Sequence, residues 1–226
     1  MIIAIETSTP VCSVALGENG RCTIEKRIEG KGVHSEYTFT FLESLCDRYD
    51  LSPKNIECVL FSGGPGSYTG LRIGAAAIKG FMFGREVPLY LFPTLLSFAV
   101  PLADKNPIEI HSVIDARRKH LYHQKINIRS GGELHIGEPV VKELNEIEAE
   151  LTENSCIAGT GWGRMDTDKV KQENKYGTEI ISAKNLIYAW YNPQLKPWFK
   201  KEDPALFEPN YLTLSQINNS SADVVK

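Results

Sequence analysis

Two carboxylates, Glu6 and Asp115, each stand at the end of a strand-like apolar run, where α/β proteins commonly collect the acids of a site. Either can act as a general base or a Mg²⁺ ligand, and either can simply hold a turn. The five histidines, His34, His111, His120, His123 and His135, include no HxxxH or HExxH pair, so no helix-borne metal site is expected. His120 and His123 form an HxxH, but strand residues three apart face opposite ways. His34 precedes a helix and reads as a hydrogen-bonding entry residue. Cys12 and Cys58 fall in apolar runs and read as core thiols rather than nucleophiles. Arg117-Arg118-Lys119 is a compact basic cluster, suited to a solvated turn or to meeting a phosphate.

The most informative segment runs from Gly63 to Gly74, where five glycines and a proline separate a buried strand from a helix. Such a loop turns tightly and can present backbone N–H groups to an anion. It is not a Walker loop, since no GK[ST] follows, and it is not GxGxxG. The competing reading is that the glycines permit positive φ and close packing of helix on sheet.

The elements that must position these residues follow from the pattern. Met1 to Glu6, Val11 to Gly17 and Arg21 to Ile28 are predicted as an antiparallel meander, with Glu-Asn-Gly as a hairpin turn. A helix is predicted over 35–50, with Ser35 as its cap, then a strand over 55–61, the glycine loop, a helix to about Phe83 and a short strand over 88–91. That order suits a mixed sheet with helices packed on it. The second half repeats the plan more faintly, with strands over 108–116, 119–128, 136–141 and 156–159 and helices over 143–151 and 183–191. The fold class is therefore α/β, in two lobes divided into 1–104 and 105–226. The tail beyond Trp198 is expected to wrap the surface and then fray.

The helix after the glycine loop is apolar nearly all round, with Arg72 and Lys79 its only charges. In the preceding helix Tyr37, Phe39, Phe41, Leu42, Leu45, Cys46 and Tyr49 span an arc of about 200° at 100° per residue. Two neighbouring helices with surplus apolar surface suit either a subunit contact or central packing under the second lobe. The net charge of −3 gives no broad cationic field for nucleic acid. Five cysteines without CxxC spacing are expected as reduced thiols, and no window reaches the ~20 apolar residues of a membrane span. A cytoplasmic location is expected.

Ile5-Glu6-Thr7-Ser8-Thr9 with Cys12-Ser13-Val14-Ala15-Leu16, His34-Ser35, and Gly64-Pro65-Gly66-Ser67-Tyr68-Thr69-Gly70-Leu71-Arg72-Ile73-Gly74 resemble the TsaB (YeaZ) family. Ile114-Asp115-Ala116-Arg117 extends the likeness, and Pro209-Asn210-Tyr211-Leu212 is similar to the family's closing motif, although Thr213 stands where an arginine is usual. The resemblance implies two actin-like (ribonuclease H-like) lobes, each a mixed sheet flanked by helices. It further implies a part in making threonylcarbamoyladenosine at position 37 of tRNAs. The catalytic relative, TsaD, carries a metal-binding histidine pair where this chain has Leu91-Phe92-Pro93-Thr94-Leu95-Leu96-Ser97. A non-catalytic subunit follows, without metal and without protease activity.

The resemblance also implies partners: TsaD, the ATPase TsaE, a second copy of the chain when alone, and tRNA only within the complex. The implied contact residues are Tyr37, Phe41, Leu45, Tyr49, Arg72, Ala75, Ile78, Lys79 and Met82, and a charge at Leu45 or Phe81 is expected to break pairing. No cofactor is expected to be tightly held. Weak binding of ATP or ADP, through the complex, would fall to Glu6, Thr7, Ser8, Gly64, Gly66, Ser67, Asp115, Gly159 and Gly161. An independent ATP-dependent kinase or ATPase of the same fold is the alternative, with Glu6 and Asp115 its only candidate catalytic acids.

Overall fold

The structure, a computed structural model, describes residues 1–105 and 108–210. Its first sheet begins with the meander β1 (Ile2–Glu6), β2 (Val11–Glu18) and β3 (Arg21–Glu29) and continues through β4 (Cys58–Ser62) and β5 (Leu89–Phe92). β1, β4 and β5 run parallel, while β2 and β3 are antiparallel to their neighbours, which makes the sheet mixed as the element order requires. Helices α1 (Val33–Tyr49) and α2 (Tyr68–Met82) connect its strands, and α3 (Thr94–Ser97) follows β5. The second sheet holds β6 (Ile108–Asp115), β7 (His120–Ile128), β8 (Leu134–Ile136), β9 (Val140–Glu143), β10 (Ser155–Gly159) and β11 (Lys175–Tyr176), with α4 (Leu144–Glu150) between β9 and β10. Here too an antiparallel hairpin stands beside a parallel neighbour, β10 on β6, so the two halves share a plan.

Several boundaries differ from the sequence expectation. Helix α1 starts at Val33, and its cap position is Gly32 in the left-handed region; Ser35 is already inside the helix, where its hydroxyl donates to Gly32 O at 3.1 Å. The strand expected from Asn55 starts at Cys58, because Asn55 is spent on a turn: its Oδ1 accepts from Ser52 N and its Nδ2 donates to Asp50 O. The expected strand over 136–141 is two pieces, β8 and β9, broken around Pro139, which has no N–H for a ladder. The chain also returns to the first lobe: α5 (Lys184–Tyr191) packs on the first sheet and β12 (Lys200–Glu202) adds to its edge beside β5. Phe207 then enters the core of that lobe, edge-on to Phe61 with centroids 6.1 Å apart. The expected fraying and the Tyr211-Leu212-Thr213 part of the closing motif lie outside the described residues.

Three apolar clusters hold these layers. One lies between the sheets, with Ile2, Ala4, Leu60, Phe92, Leu95 and Phe98 meeting Ile110, Ile126, Leu186 and Ile187. A second lies under α1 and α2, and a smaller third lies under α4.

Three histidines, His34, His111 and His123, are buried with them, and burial lowers the pKa of each, that of His123 to about 3. Below the unfolded value near 6.5 the unfolded chain takes up protons that the folded one refuses, so this stability is complete above that pH and lost as pH falls. Buried Glu6 has the opposite sign, since its raised pKa lets the folded state hold a proton more readily than the unfolded chain. A Glu6→Gln variant removes that opposing contribution and leaves the histidines alone. The urea midpoint of that variant, free of metal, is expected to drop between pH 7 and 5 by the equivalent of at least about 1 kcal/mol, because His123, held near 3, stays neutral while its unfolded counterpart takes up a proton. A flat profile in that variant would show that the rings are protonated in place.

Candidate functional site

The turn between β1 and β2 rests directly on the glycine loop. Ser67 N donates to Ser8 O at 2.6 Å, and a Cβ on Gly66, Gly70 or Gly74 would lie 2.3 Å from Ser8 O, 2.1 Å from Thr7 O and 2.3 Å from Thr7 Oγ1 respectively. No side chain fits at those separations, so these glycines are required by contact with the turn. The loop's N–H groups are largely committed within the chain. Gly63 N donates to Phe92 O, Gly64 N to Thr94 Oγ1 and Gly70 N to Ser67 Oγ, the cap of α2. Asn210 N donates to Gly63 O at 2.7 Å, which lays the returning tail across the loop.

Glu6 is buried beneath this turn. Its Oε1 accepts from Ser8 N at 2.6 Å and from the Ser8 hydroxyl, and Ser62 is its other hydrogen-bonding neighbour. Burial raises its pKa against the opposing pull of its serine neighbours. The Thr7 hydroxyl is buried without a partner among the described residues. A carboxyl so enclosed, its charged form disfavoured by burial, is poorly suited to hold Mg²⁺.

Asp115, at the end of β6, belongs to a different group. It is ion-paired with Arg164 and accepts from Arg117 N at 2.7 Å, and its own N–H reaches Thr160 Oγ1. Gly161 packs against it, and Gly159 packs on Val113 O and the Phe98 ring. The expected phosphate residues thus form two groups, Glu6 to Ser8 with Gly66 and Ser67, and Asp115 with Gly161. A cleft of about 380 Å³ lies between the glycine loop, Gln124 and the tail residues Lys200 and Asn210, and of the expected nucleotide residues only Gly64 lines it.

The expected contact residues on α1 and α2 divide in the same way. Leu45, Ala75, Ile78 and Met82 are buried in the lobe's own core, Leu45 at 1% exposure and Ile78 at 0%. They fasten the helices to the sheet rather than present a surface. A charge at Leu45, or at equally enclosed Phe81, is therefore expected to unfold the lobe, not to split a complex. Tyr37 and Phe41 meet as tilted rings with centroids 5.5 Å apart, Lys26 of β3 lies over the Phe41 ring, and Tyr49 packs at the core's margin. Arg72 reaches the Tyr68 hydroxyl at 2.9 Å, and Lys79 lies over the Phe207 ring.

What α2 does expose is a stripe that the sequence reading passed over. Thr69, Ile73, Ala76, Gly80 and the following Phe83 fall within about 80° of helix surface, with Arg72 and Lys79 along one border. Thr69, Ala76, Gly80 and Phe83 are exposed and Ile73 is half-buried; Phe83 stands 88% exposed, and Phe39 of α1, across a groove from Gly80, 50%. The signal was available in the run of small residues, which allow close backbone approach, but an all-apolar helix does not show which side the sheet takes.

The family model for TsaD, tRNA N6-adenosine threonylcarbamoyltransferase, matches residues 31–160. The TsaB protein of Escherichia coli K12, a tRNA threonylcarbamoyladenosine biosynthesis protein, is 30% identical over 167 residues, covering 71% of each chain. The chain belongs to the TsaB (YeaZ) family. The TsaB protein of Haemophilus influenzae Rd is 28% identical over 222 residues, covering 93% of this chain and 92% of that one. The solved structure of YeaZ from Pseudomonas aeruginosa superposes with a TM-score of 0.73 at 23% identity, over 93% of this chain and 99% of that one. The fold is accordingly the two-lobed actin-like, ribonuclease H-like architecture, as the family's sequence motifs imply. In this TsaB-family chain the Leu91–Ser97 stretch closes inward: Phe92, Leu95 and Leu96 enter the core between the sheets, and the Thr94 hydroxyl is used on Gly64.

Proposed function

We propose that this chain is a non-catalytic subunit in the biosynthesis of threonylcarbamoyladenosine at position 37 of tRNA. It docks to and activates a TsaD-type catalytic subunit, together with a TsaE-type ATPase, and pairs with a second copy of itself when alone. The observation that carries the docking role is the exposed stripe centred on Ala76, an apolar track on a helix whose other side is sealed in core. Family membership supports the pathway. The apolar filling of Leu91–Ser97, with no imidazole or carboxylate among them, supports a chain that leaves the chemistry to its partner. No helix among the described residues is long and apolar enough to cross a membrane, which accords with work in the cytoplasm.

The competing reading, an independent kinase or ATPase, requires an ionised acid beside a phosphate cradle. Against it stand a buried Glu6 with a raised pKa, an Asp115 tied to Arg164, and a glycine loop in which the N–H groups of Gly63, Gly64, Ser67 and Gly70 serve the chain itself. Reconstitution separates the two. TsaD and TsaE from the same source are expected to modify tRNA only when this chain is added, while calorimetry of the chain alone with ATP and Mg²⁺ is expected to give no micromolar binding. Full modification without the chain would end the subunit reading, and tight ATP binding would favour the kinase.

A further inference from the structure

The face of the second sheet turned away from the first carries a cluster of nitrogen and oxygen donors unrelated to the surfaces above. Strand alternation places Glu109 and His111 of β6, and His123 and Lys125 of β7, on this face. The hairpin register pairs His111 with Lys125 and Val113 with His123, so the two histidines are diagonal neighbours across the ladder. Helix α4 lies over the same face. Its Ile147, with Leu151 just beyond, packs on Val113, Leu121 and Ile157, which sets Glu150 beside the imidazoles.

His111 Nδ1 and His123 Nε2 are 3.0 Å apart, and the donor atoms of His111, His123 and Glu150 all lie within 4.8 Å of one another. On its other side His111 Nε2 is 3.0 Å from Glu109 Oε1, and Glu109 is itself held by Lys125 Nζ at 2.7 Å and the Ser155 hydroxyl at 3.1 Å. A carboxylate at Nε2 requires the ring proton there, which leaves the lone pair of His111 on Nδ1, directed at His123. Carboxylate, imidazole and inward lone pair in that order are the outer support that metal-ligating histidines use. In the free chain His123 Nε2 then donates its proton to His111 Nδ1, and a cation that takes the place of that proton requires it to move to His123 Nδ1 or to leave.

We propose that His111 Nδ1, His123 Nε2 and the Glu150 carboxylate form a site for one divalent transition cation of the zinc class, with Glu109 as its outer partner. Two imidazoles and one carboxylate suit Zn²⁺ or Co²⁺ and not Mg²⁺ or Ca²⁺, which prefer oxygen donors. The two nitrogens need to part by only a few tenths of an ångström to reach the about 3.3 Å that separates ligands around a tetrahedral Zn²⁺. Glu150 now pairs with Lys142, so binding transfers the carboxylate from an ammonium to the ion and pins α4 to the β6–β7 hairpin.

The test is titration of the chelator-stripped full chain with Co²⁺, followed by the visible absorbance of four-coordinate cobalt and by calorimetry. One equivalent is expected to bind. Glu150→Ala, a change at the solvent-facing end of α4, is expected to abolish the absorbance, and Glu109→Gln to weaken binding by about 10–100-fold. Lys142→Ala is expected to tighten it by removing the competing ammonium, an effect that a stray surface site would not show. His135→Ala, at an exposed histidine, is expected to change nothing. His123→Ala should also abolish the signal, and should that variant fail to fold, Glu150→Ala decides. Binding weaker than about 1 mM, or binding unchanged in Glu150→Ala, overturns the site.

Discussion

Ala76→Asp is expected to weaken association with the TsaD-type partner by about 100-fold or more while leaving this chain folded. Ala76 is exposed at the centre of the α2 stripe, so the substitution creates no buried charge in the free chain and costs only the modest helix propensity of aspartate, below about 1 kcal/mol. Once a partner helix covers the stripe, the carboxylate is desolvated; Arg72 four residues before it and Lys79 three after offset part of that cost, about 3 kcal/mol remains, and each 1.4 kcal/mol is about tenfold in affinity. Phe83→Ser is expected to act in the same direction more weakly, by loss of apolar contact at the stripe's end. Sedimentation of mixtures reads the association, and a melt of the free variant shows that the lobe is intact. Undiminished association in Ala76→Asp would place the contact elsewhere.

Gly70→Ala is expected to destabilise the first lobe by about 3 kcal/mol or more, the upper range of overpacking. The added Cβ would stand 2.1 Å from the Thr7 carbonyl oxygen, a backbone atom that can yield only if the β1–β2 turn moves. Gly74→Ala should behave similarly, since its Cβ would meet Thr7 Oγ1 at 2.3 Å and the Phe61 ring at 2.7 Å. Gly80, in the same helix, has open space around it, and Gly80→Ala is expected to be neutral or to stabilise by up to about 1 kcal/mol. Urea midpoints separate the three. A Gly70→Ala variant of ordinary stability that had lost a measurable affinity for ATP would return the loop to the phosphate-cradle reading.

Much of the fold was legible because alternation and turn residues act locally. The meander, the strand before the glycine loop, and the two long helices follow from patterns a few residues long, and where a boundary slipped, a local competitor was responsible, as when Asn55 closed a turn instead of opening a strand. The return of the tail to the first sheet was not legible, since nothing in Lys200–Glu202 names β5 as its neighbour. The contact surface was legible only as far as the helices that carry it. Apolar content pointed to α1 and α2, but the side that meets the sheet is chosen by packing, which took Leu45, Ala75, Ile78 and Met82 inward and left Ala76 and Phe83 outside. The histidine cluster was not legible for a related reason: spacing along a single element does not show it, because His111 and His123 meet across a hairpin whose register is set by the turn at Arg117 and Arg118, both in the left-handed region.

The claim on which the rest depends is that another protein covers the Ala76 stripe. Hydrogen–deuterium exchange of this chain, alone and mixed with its TsaD-type partner, measures that coverage directly. The expected result is slowed exchange confined largely to Tyr68–Met82 and the facing part of α1, absent in Ala76→Asp. Unchanged exchange across α2 in a mixture that nonetheless forms a complex would contradict it.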